Sequence, residues 1–336
     1  MQRYKQFKFV PKINLVMKAI VLNGTGGPGN LVLSEIPVPS IKENEVLITT
    51  KAISINPVDA AATRMPELLN YVYQIKGDEK QIVLGWDVAG VVTATGSAVT
   101  RFKTGDEVFG MVKFPGQANG YAEYVAAPEV ELVLKPRNIS FNEAAGATLA
   151  ALTAWQSLVT NGNVKKGDKI VITGASGGVG HYAVQIAKYF GAYVIAIASA
   201  ANKDFVLGLG ADEFIDYKTQ SFEDIVQDAD IVHDAVWSDD VHHVQRSLKA
   251  IKSGGKLLSL IVDLDEDMQQ KLKAKEVAGM RVYVQANRDD LQTIADLLER
   301  GAIKTYVSAT FPLEQTTKAH GLIQTKNSVG KIIVTV

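Results

Sequence analysis

The stretch ITGASGGVGHYAVQIAK, residues 172–188, constrains the fold more than any other part of the chain. It passes from the apolar run KIVIT (169–173) through a glycine-rich turn into an amphipathic segment that starts near Val179. A strand that enters a helix in this way opens a βαβ unit, and such a unit needs a parallel sheet to receive its next strand. Set on the dinucleotide fingerprint, Ala175, Ser176, Gly177, Gly178, Val179 and Gly180 read A-x-G-x-x-G. Gly177 lets the backbone approach a diphosphate and Gly180 lets helix and strand pack closely. The helix N-terminus offers unpaired N–H groups and a positive dipole end to the anion. Ala175 replaces the first glycine, which a small residue tolerates. The flanking strand and helix supply the context in which this motif has meaning.

The elements that follow fit a doubly wound sheet covered on both faces. AYVIAIA (192–198), DEFIDY (212–217), DIVHDAV (230–236) and KLLSLIV (256–262) are strand-like runs, with helices from Lys203 and near 241–251 between them. Before residue 140 the rhythm differs. EVLITTKAISI (45–55), DVAGVVTATG (87–96), DEVFGMV (106–112) and GYAEYVAAP (120–128) are β-rich and separated by turn formers, as in an antiparallel barrel. SFNEAAGATLAALTAWQSLV (140–159) reads as one helix with Ser140 as cap and Glu143 completing the box. RDDLQTIADLLERG (288–301) reads as a final helix and KIIVTV as a closing strand, whose sheet periodicity does not assign. With 336 residues, two domains are the first expectation.

Charge and composition exclude several classes. The formal net charge is −1 with no cationic stripe, which disfavours nucleic acid as a partner. There is no cysteine, so disulfides and thiolate-bound zinc are ruled out. No apolar run reaches the ~18–20 residues that span a bilayer. Residues 1–16 carry four basic side chains and no acid, yet resemble neither a secretory signal nor a transit peptide. They read as an extension ahead of a functional start at Met17, and the expected compartment is the cytoplasm.

The 2′ end of the nucleotide is read at the end of the second strand, where a free hydroxyl usually meets an acid about 20 residues past the turn. Here the residues are Ser199, Asn202 and Lys203, a hydroxyl, an amide and a cation, which suit a 2′-phosphate. NADPH is therefore expected over NADH.

GDKIVITGASGGVGHYAVQIAK, SINPVD, GWDVAGVVTATGSAVTRFKTGDEVFGM, GYAEYV, TAW and FPLEQTTKAH…GKIIV together resemble the quinone oxidoreductases of the medium-chain dehydrogenase/reductase superfamily, the group that includes ζ-crystallin. The resemblance covers nearly the whole chain from Met17. It implies an α/β protein with a GroES-like β-barrel catalytic domain (17–140 plus 287–336) and an inserted Rossmann NADPH-binding domain (141–286). It also implies a homodimer joined through edge strands, for which KLLSLIV and RVYVQA are candidates. Zinc-dependent relatives place a Cys where this chain has Asn56 and a His-Glu pair where it has Trp86-Asp87. Neither amide nor indole replaces those ligands, so no catalytic metal is expected. The five histidines offer no substitute site: His233 reads as a core residue, His181 as flanking the turn, and His242 and His243 point apart.

Without zinc, hydride delivery needs an acceptor that is already electron-poor, such as a quinone, an enone or an enal. The resemblance places Asn56 at the mouth of the nicotinamide pocket, Thr153 beside the nicotinamide, Tyr217 over the 2′-phosphate and Lys331 near the cofactor. Asn56 has the rival role of an Asn-Pro turn residue. Ala235 and Val236 follow a parallel strand and should line the nicotinamide ribose. Many family members carry a pocket tyrosine five residues after the asparagine, where this chain has Ala61. Tyr73, in a segment read as a lid-like loop together with Tyr71, is the replacement candidate for proton donor. The alternatives are an enone or enal reductase with little quinone activity, and an NADPH-binding redox sensor with little turnover.

Overall fold

The computed structural model describes residues 15–75, 81–236 and 242–336. Residues 1–14 of the expected extension, the segment 76–80 and Trp237 of DAVW lie outside the described residues. No helix among the described residues is long and apolar enough to cross a membrane.

The strand Lys169–Thr173 lies inside a six-stranded, all-parallel sheet. Its spatial order is Glu213–Asp216, Tyr193–Ala198, Lys169–Thr173, Ala229–Asp234, Ile251–Ser259, Ala278–Arg281. Ile170, Val171, Ile172, Val194, Ala196 and Val232 are fully buried, because helices cover both faces and leave no strand side for water. The chain reverses its direction of travel across the sheet between Lys169–Thr173 and Ala229–Asp234. The crevice at the carboxyl ends of these two strands is where such sheets bind ligands.

The other domain is a mixed sheet ordered Val307–Pro312, Lys331–Thr335, Glu45–Ile55, Asp87–Thr95, Glu107–Met111, Val133–Leu134, with Tyr124–Pro128 also paired to Glu45–Ile55. A three-stranded sheet, Leu31–Pro37, Val16–Leu22, Ile82–Val83, stands beside it. KIIVTV therefore returns to the first domain, with Ile333 opposite Ser54 in antiparallel register. Helix Arg288–Glu299 buries Leu291, Ile294, Ala295, Leu297 and Leu298, as its spacing predicts.

Three expectations are corrected. The segment 140–159 is not one helix. It keeps the Ser140–Glu143 capping box but divides into Phe141–Gly146 and Leu149–Trp155, and then widens into a π turn at Gln156–Asn161. The break is tertiary in origin, since the Leu149 N–H donates to Asp87 Oδ1 at 3.0 Å, across from the barrel. KLLSLIV is not an edge: its residues 256–259 belong to a strand bonded on both sides, and the edge is Ala278–Arg281, which takes only Arg281 from RVYVQA. The segment containing Tyr73 is not a loop up to that point, because Pro66–Tyr73 is a helix that buries Leu69, Val72 and Tyr73.

Candidate active site

The glycine turn is built around a residue that the fingerprint reading passed over. Gly174, directly after the strand, adopts φ +62°, so the sharp turn falls one residue ahead of Ala175. Ala175 is buried, and its N–H donates to Ile197 O at 3.1 Å, tying the turn to the neighbouring strand. Gly177 N–H donates back to Gly174 O at 2.9 Å. A Cβ on Gly180 would collide with Gly174 O and lie 2.7 Å from Ala175 Cα, so only glycine fits where helix meets strand. Helix Gly180–Tyr189 starts after Val179 with no capping side chain; its His181 N–H donates to Gly177 O and its Tyr182 N–H to Val179 O, both at 3.1 Å, so the turn itself is the part of this helix start that a ligand would meet. Gly177, Gly178 and Val179 form the half-buried rim. His181 supports the turn, with Nδ1 3.0 Å from Gly177 O, and burial lowers its pKa to about 4, so the ring is neutral.

At the 2′ end, Asn202 Nδ2 donates to Ser176 Oγ at 3.0 Å and to Ser199 Oγ at 3.3 Å. One amide thus joins the glycine turn to the end of strand Tyr193–Ala198. Lys203 opens the next helix and is exposed, and Tyr217 N–H donates to Ala198 O at 3.3 Å with its ring 57% exposed. Ser199, Asn202, Lys203 and Tyr217 therefore share one strand end. On the other side of the crevice, Thr173 Oγ1 donates to Asp234 Oδ1 at 2.8 Å and accepts from Ala235 N–H at 3.1 Å. Val236 N–H donates to Asp234 Oδ1 at 3.3 Å, and His243 Nε2 lies 3.1 Å from Asp234 Oδ2. Thr173 and Asp234 escaped the sequence reading; a polar residue ending each of two neighbouring buried strands was the available signal.

The barrel contributes a buried polar network. Asn56 donates Nδ2–H to Asp87 Oδ2 at 2.8 Å, accepts on Oδ1 from Lys331 Nζ at 2.6 Å, and donates its backbone N–H to Asp59 Oδ2 at 2.8 Å. Its turn role and its place in the site are thus the same residue's two ends. Burial raises the Asp87 pKa above its ordinary range, with Lys331 opposing it. Thr153 Oγ1 donates to Leu149 O at 2.7 Å within its own helix. Tyr73 is fully buried, stacked on Trp86 with centroids 4.3 Å apart. Its hydroxyl donates to Asp59 Oδ1 at 3.0 Å and accepts from Gly85 N–H at 2.8 Å. The phenol is therefore committed to the core, while Tyr71 is 69% exposed.

The positions that hold zinc in metal-dependent relatives are filled by Asn56, as above, and Trp86, whose indole donates to Gly116 O at 2.7 Å. No group of three or more His, Asp or Glu among the described residues could hold a metal ion. His233 Nδ1 pairs with Ser157 Oγ at 2.8 Å inside the core.

Residues 42–137 match the family described as the alcohol dehydrogenase GroES-like domain, and residues 209–334 match the one described as zinc-binding dehydrogenase. The NADPH-dependent alkenal/one oxidoreductase of Arabidopsis thaliana is 36% identical over 95% of this chain and 79% of its own length. The spinach (Spinacia oleracea) quinone-oxidoreductase homolog is 32% identical over 95% of this chain and 98% of its own. The solved quinone oxidoreductase of Coxiella burnetii superposes with a TM-score of 0.88 at 32% identity, over 96% of this chain and all of that one. The chain belongs to the zinc-independent, quinone oxidoreductase-like branch of the medium-chain dehydrogenase/reductase superfamily. It is an NAD(P)H-dependent oxidoreductase. The cytoplasmic expectation is overturned: both plant relatives are chloroplastic by name, and further relatives are chloroplast or mitochondrial proteins. A basic leading segment without a transit-peptide pattern was a poor guide to compartment.

Proposed function

We propose that the protein uses NADPH, rather than NADH, to reduce small electron-poor acceptors: quinones, enones or enals. The observation that carries the cofactor choice is the strand end where Asn202 bridges Ser176 and Ser199 beside exposed Lys203 and Tyr217. Four neutral donors, from Ser176, Ser199, Asn202 and Tyr217, and the Lys203 cation favour a 2′-phosphate. The glycine cradle fits a dinucleotide, since Gly174 and Gly180 occupy positions where a Cβ is strained or excluded.

Bound NADPH supplies the hydride. The protein's share is placement and charge: Ser176 to Val179 hold the diphosphate, Ala235 and Val236 line the ribose, and Thr153 borders the nicotinamide. Asn56 sets the polarity at the acceptor end. With Tyr73 turned into the core, the proton that follows hydride transfer comes from water. The relatives, an alkenal/one oxidoreductase, a quinone-oxidoreductase homolog and a quinone oxidoreductase, support this acceptor class.

The test is steady-state oxidation of NADPH and NADH with benzoquinone, phenanthrenequinone and crotonaldehyde, for the wild type and Lys203→Ala. NADPH-selective turnover is expected, with Lys203→Ala lowering kcat/KM for NADPH about tenfold and leaving NADH unchanged. Equal use of both nucleotides by the wild type overturns the cofactor assignment, and inertness to every acceptor overturns the substrate class.

A further inference from the structure

Lys331 is 2% exposed, bonded within its own sheet domain to Asn56 and packed against Gly178 of the glycine turn. The Gly330 N–H donates to Ser176 O at 2.9 Å, which clips the start of the returning strand to the glycine turn. A Cβ on Gly178 would sit 3.4 Å from Lys331 Cδ and 4.0 Å from Nζ, so the ammonium lies against the rim of the cradle. There Nζ donates to Asn56 Oδ1 at 2.6 Å. An ammonium has three donors, and among the described residues Asn56 Oδ1 is the acceptor it meets. A buried charge left so sparsely bonded is costly unless a ligand completes its shell.

The orientation of that amide is fixed from the far side. Asp87 accepts from Asn56 Nδ2 on one oxygen and from Leu149 N–H on the other, at 2.8 and 3.0 Å. Turning the amide over would set N–H against an ammonium and a carbonyl against a carboxylate, so one orientation prevails. Burial lowers the Lys331 pKa, and the Asp87 and Asp59 carboxylates oppose that shift.

We propose that Asn56 and Asp87 are positioning residues that act through Lys331. They hold its ammonium over the glycine turn, where its two remaining N–H groups take the diphosphate bridge of the dinucleotide. Cofactor affinity then depends on two side chains of the barrel domain. This rests on the NADPH-binding reading above.

Dissociation constants for NADPH, measured by fluorescence titration, test it in Lys331→Met, Asn56→Leu, their double variant and Lys331→Arg. Adenosine 2′-monophosphate, which lacks the diphosphate, is titrated in parallel. Lys331→Met and Asn56→Leu should each weaken NADPH about tenfold. The double variant should be no weaker than Lys331→Met alone, because both remove one contact. Lys331→Arg should recover most of the affinity, and the monophosphate should bind all variants alike. If Asn56→Leu does not fold, Asp87→Asn replaces it, since it keeps the shape but lets the amide turn.

Additive losses, or an Asn56 variant that binds NADPH as the wild type does, overturn the coupling. Equal weakening of the monophosphate makes the network merely structural and overturns it too. Wild-type protein that binds the monophosphate but not NADPH rejects the diphosphate contact while sparing the 2′ assignment. Failure to bind either nucleotide rejects the NADPH reading itself.

Discussion

Asp59 shows what a buried carboxyl does when its partners are neutral donors. Burial raises its pKa from 3.8 to about 7, with the Asp87 charge adding to the shift and the Asn56 N–H, the Tyr73 hydroxyl and Lys331 opposing it. Between pH 4 and pH 7 the folded protein therefore keeps a proton that the unfolded chain releases. For this group stability falls as pH rises through that window, by up to about 1.4 kcal/mol per pH unit. Urea midpoints for the wild type and Asp59→Asn should converge towards pH 4 and separate towards pH 7, the variant gaining. A constant difference across the window would remove Asp59 as the source. Tyr73 gives a complementary case. Replacing it with Phe leaves Asp59 Oδ1 and the Gly85 N–H without that partner, at an expected cost of about 1–3 kcal/mol. Turnover per folded molecule should stay within about twofold, because the phenol faces the core; a large loss of kcat at unchanged stability would restore it as proton donor.

At the level of elements, the strand–turn–helix unit is held by approach distances that only missing side chains permit. In Gly180→Ala the new methyl meets the Gly174 carbonyl and Ala175 Cα, both backbone, so neither can swing aside. The helix must then shift, costing about 1–3 kcal/mol and moving its N-terminal N–H groups away from the diphosphate position. Thermal unfolding and NADPH titration should both register it; unchanged NADPH affinity would show that the cradle tolerates the shift. Helix Leu149–Trp155 carries the opposite lesson. It is started by a carboxylate from the barrel, not by a cap within its own segment, so its position reports on domain packing.

Over the whole molecule, the last strand decides whether Val307–Pro312 joins the first domain's sheet. Lys331–Thr335 pairs in parallel with Val307–Pro312 and antiparallel with Glu45–Ile55, so it joins two parts of the chain that are far apart in sequence. Ile332, Ile333 and Val334 are fully buried, worth about 4–9 kcal/mol together, a large share of the ~5–15 kcal/mol by which a domain is stable. A chain ending at Gly330 is expected to lose the cooperative unfolding of the barrel and its near-ultraviolet circular dichroism. Retention of both would mean that the sheet holds together without this strand.

Sequence by itself determined the parallel sheet, the glycine turn that follows its strand, and the group of polar residues at the end of the neighbouring strand. Each of these rests on local pattern: apolar runs of strand length, glycines at fixed offsets, and polar residues at a strand end. It also excluded zinc ligands, because Asn56 and Trp86 lack the donor atoms whatever surrounds them. What it could not show was which polar groups meet. The Asp87–Asn56–Lys331 chain joins residues 275 positions apart at its widest step, and the removal of Tyr73 into the core depends on Asp59 and Gly85 arriving at the same place. The division of segment 140–159 depends likewise on Asp87. The Lys331 contact forms only when the C-terminal strand returns to the barrel and sets its lysine against the other domain's turn, and the others form only when separate segments of the chain pack together; no local pattern records partners that distant.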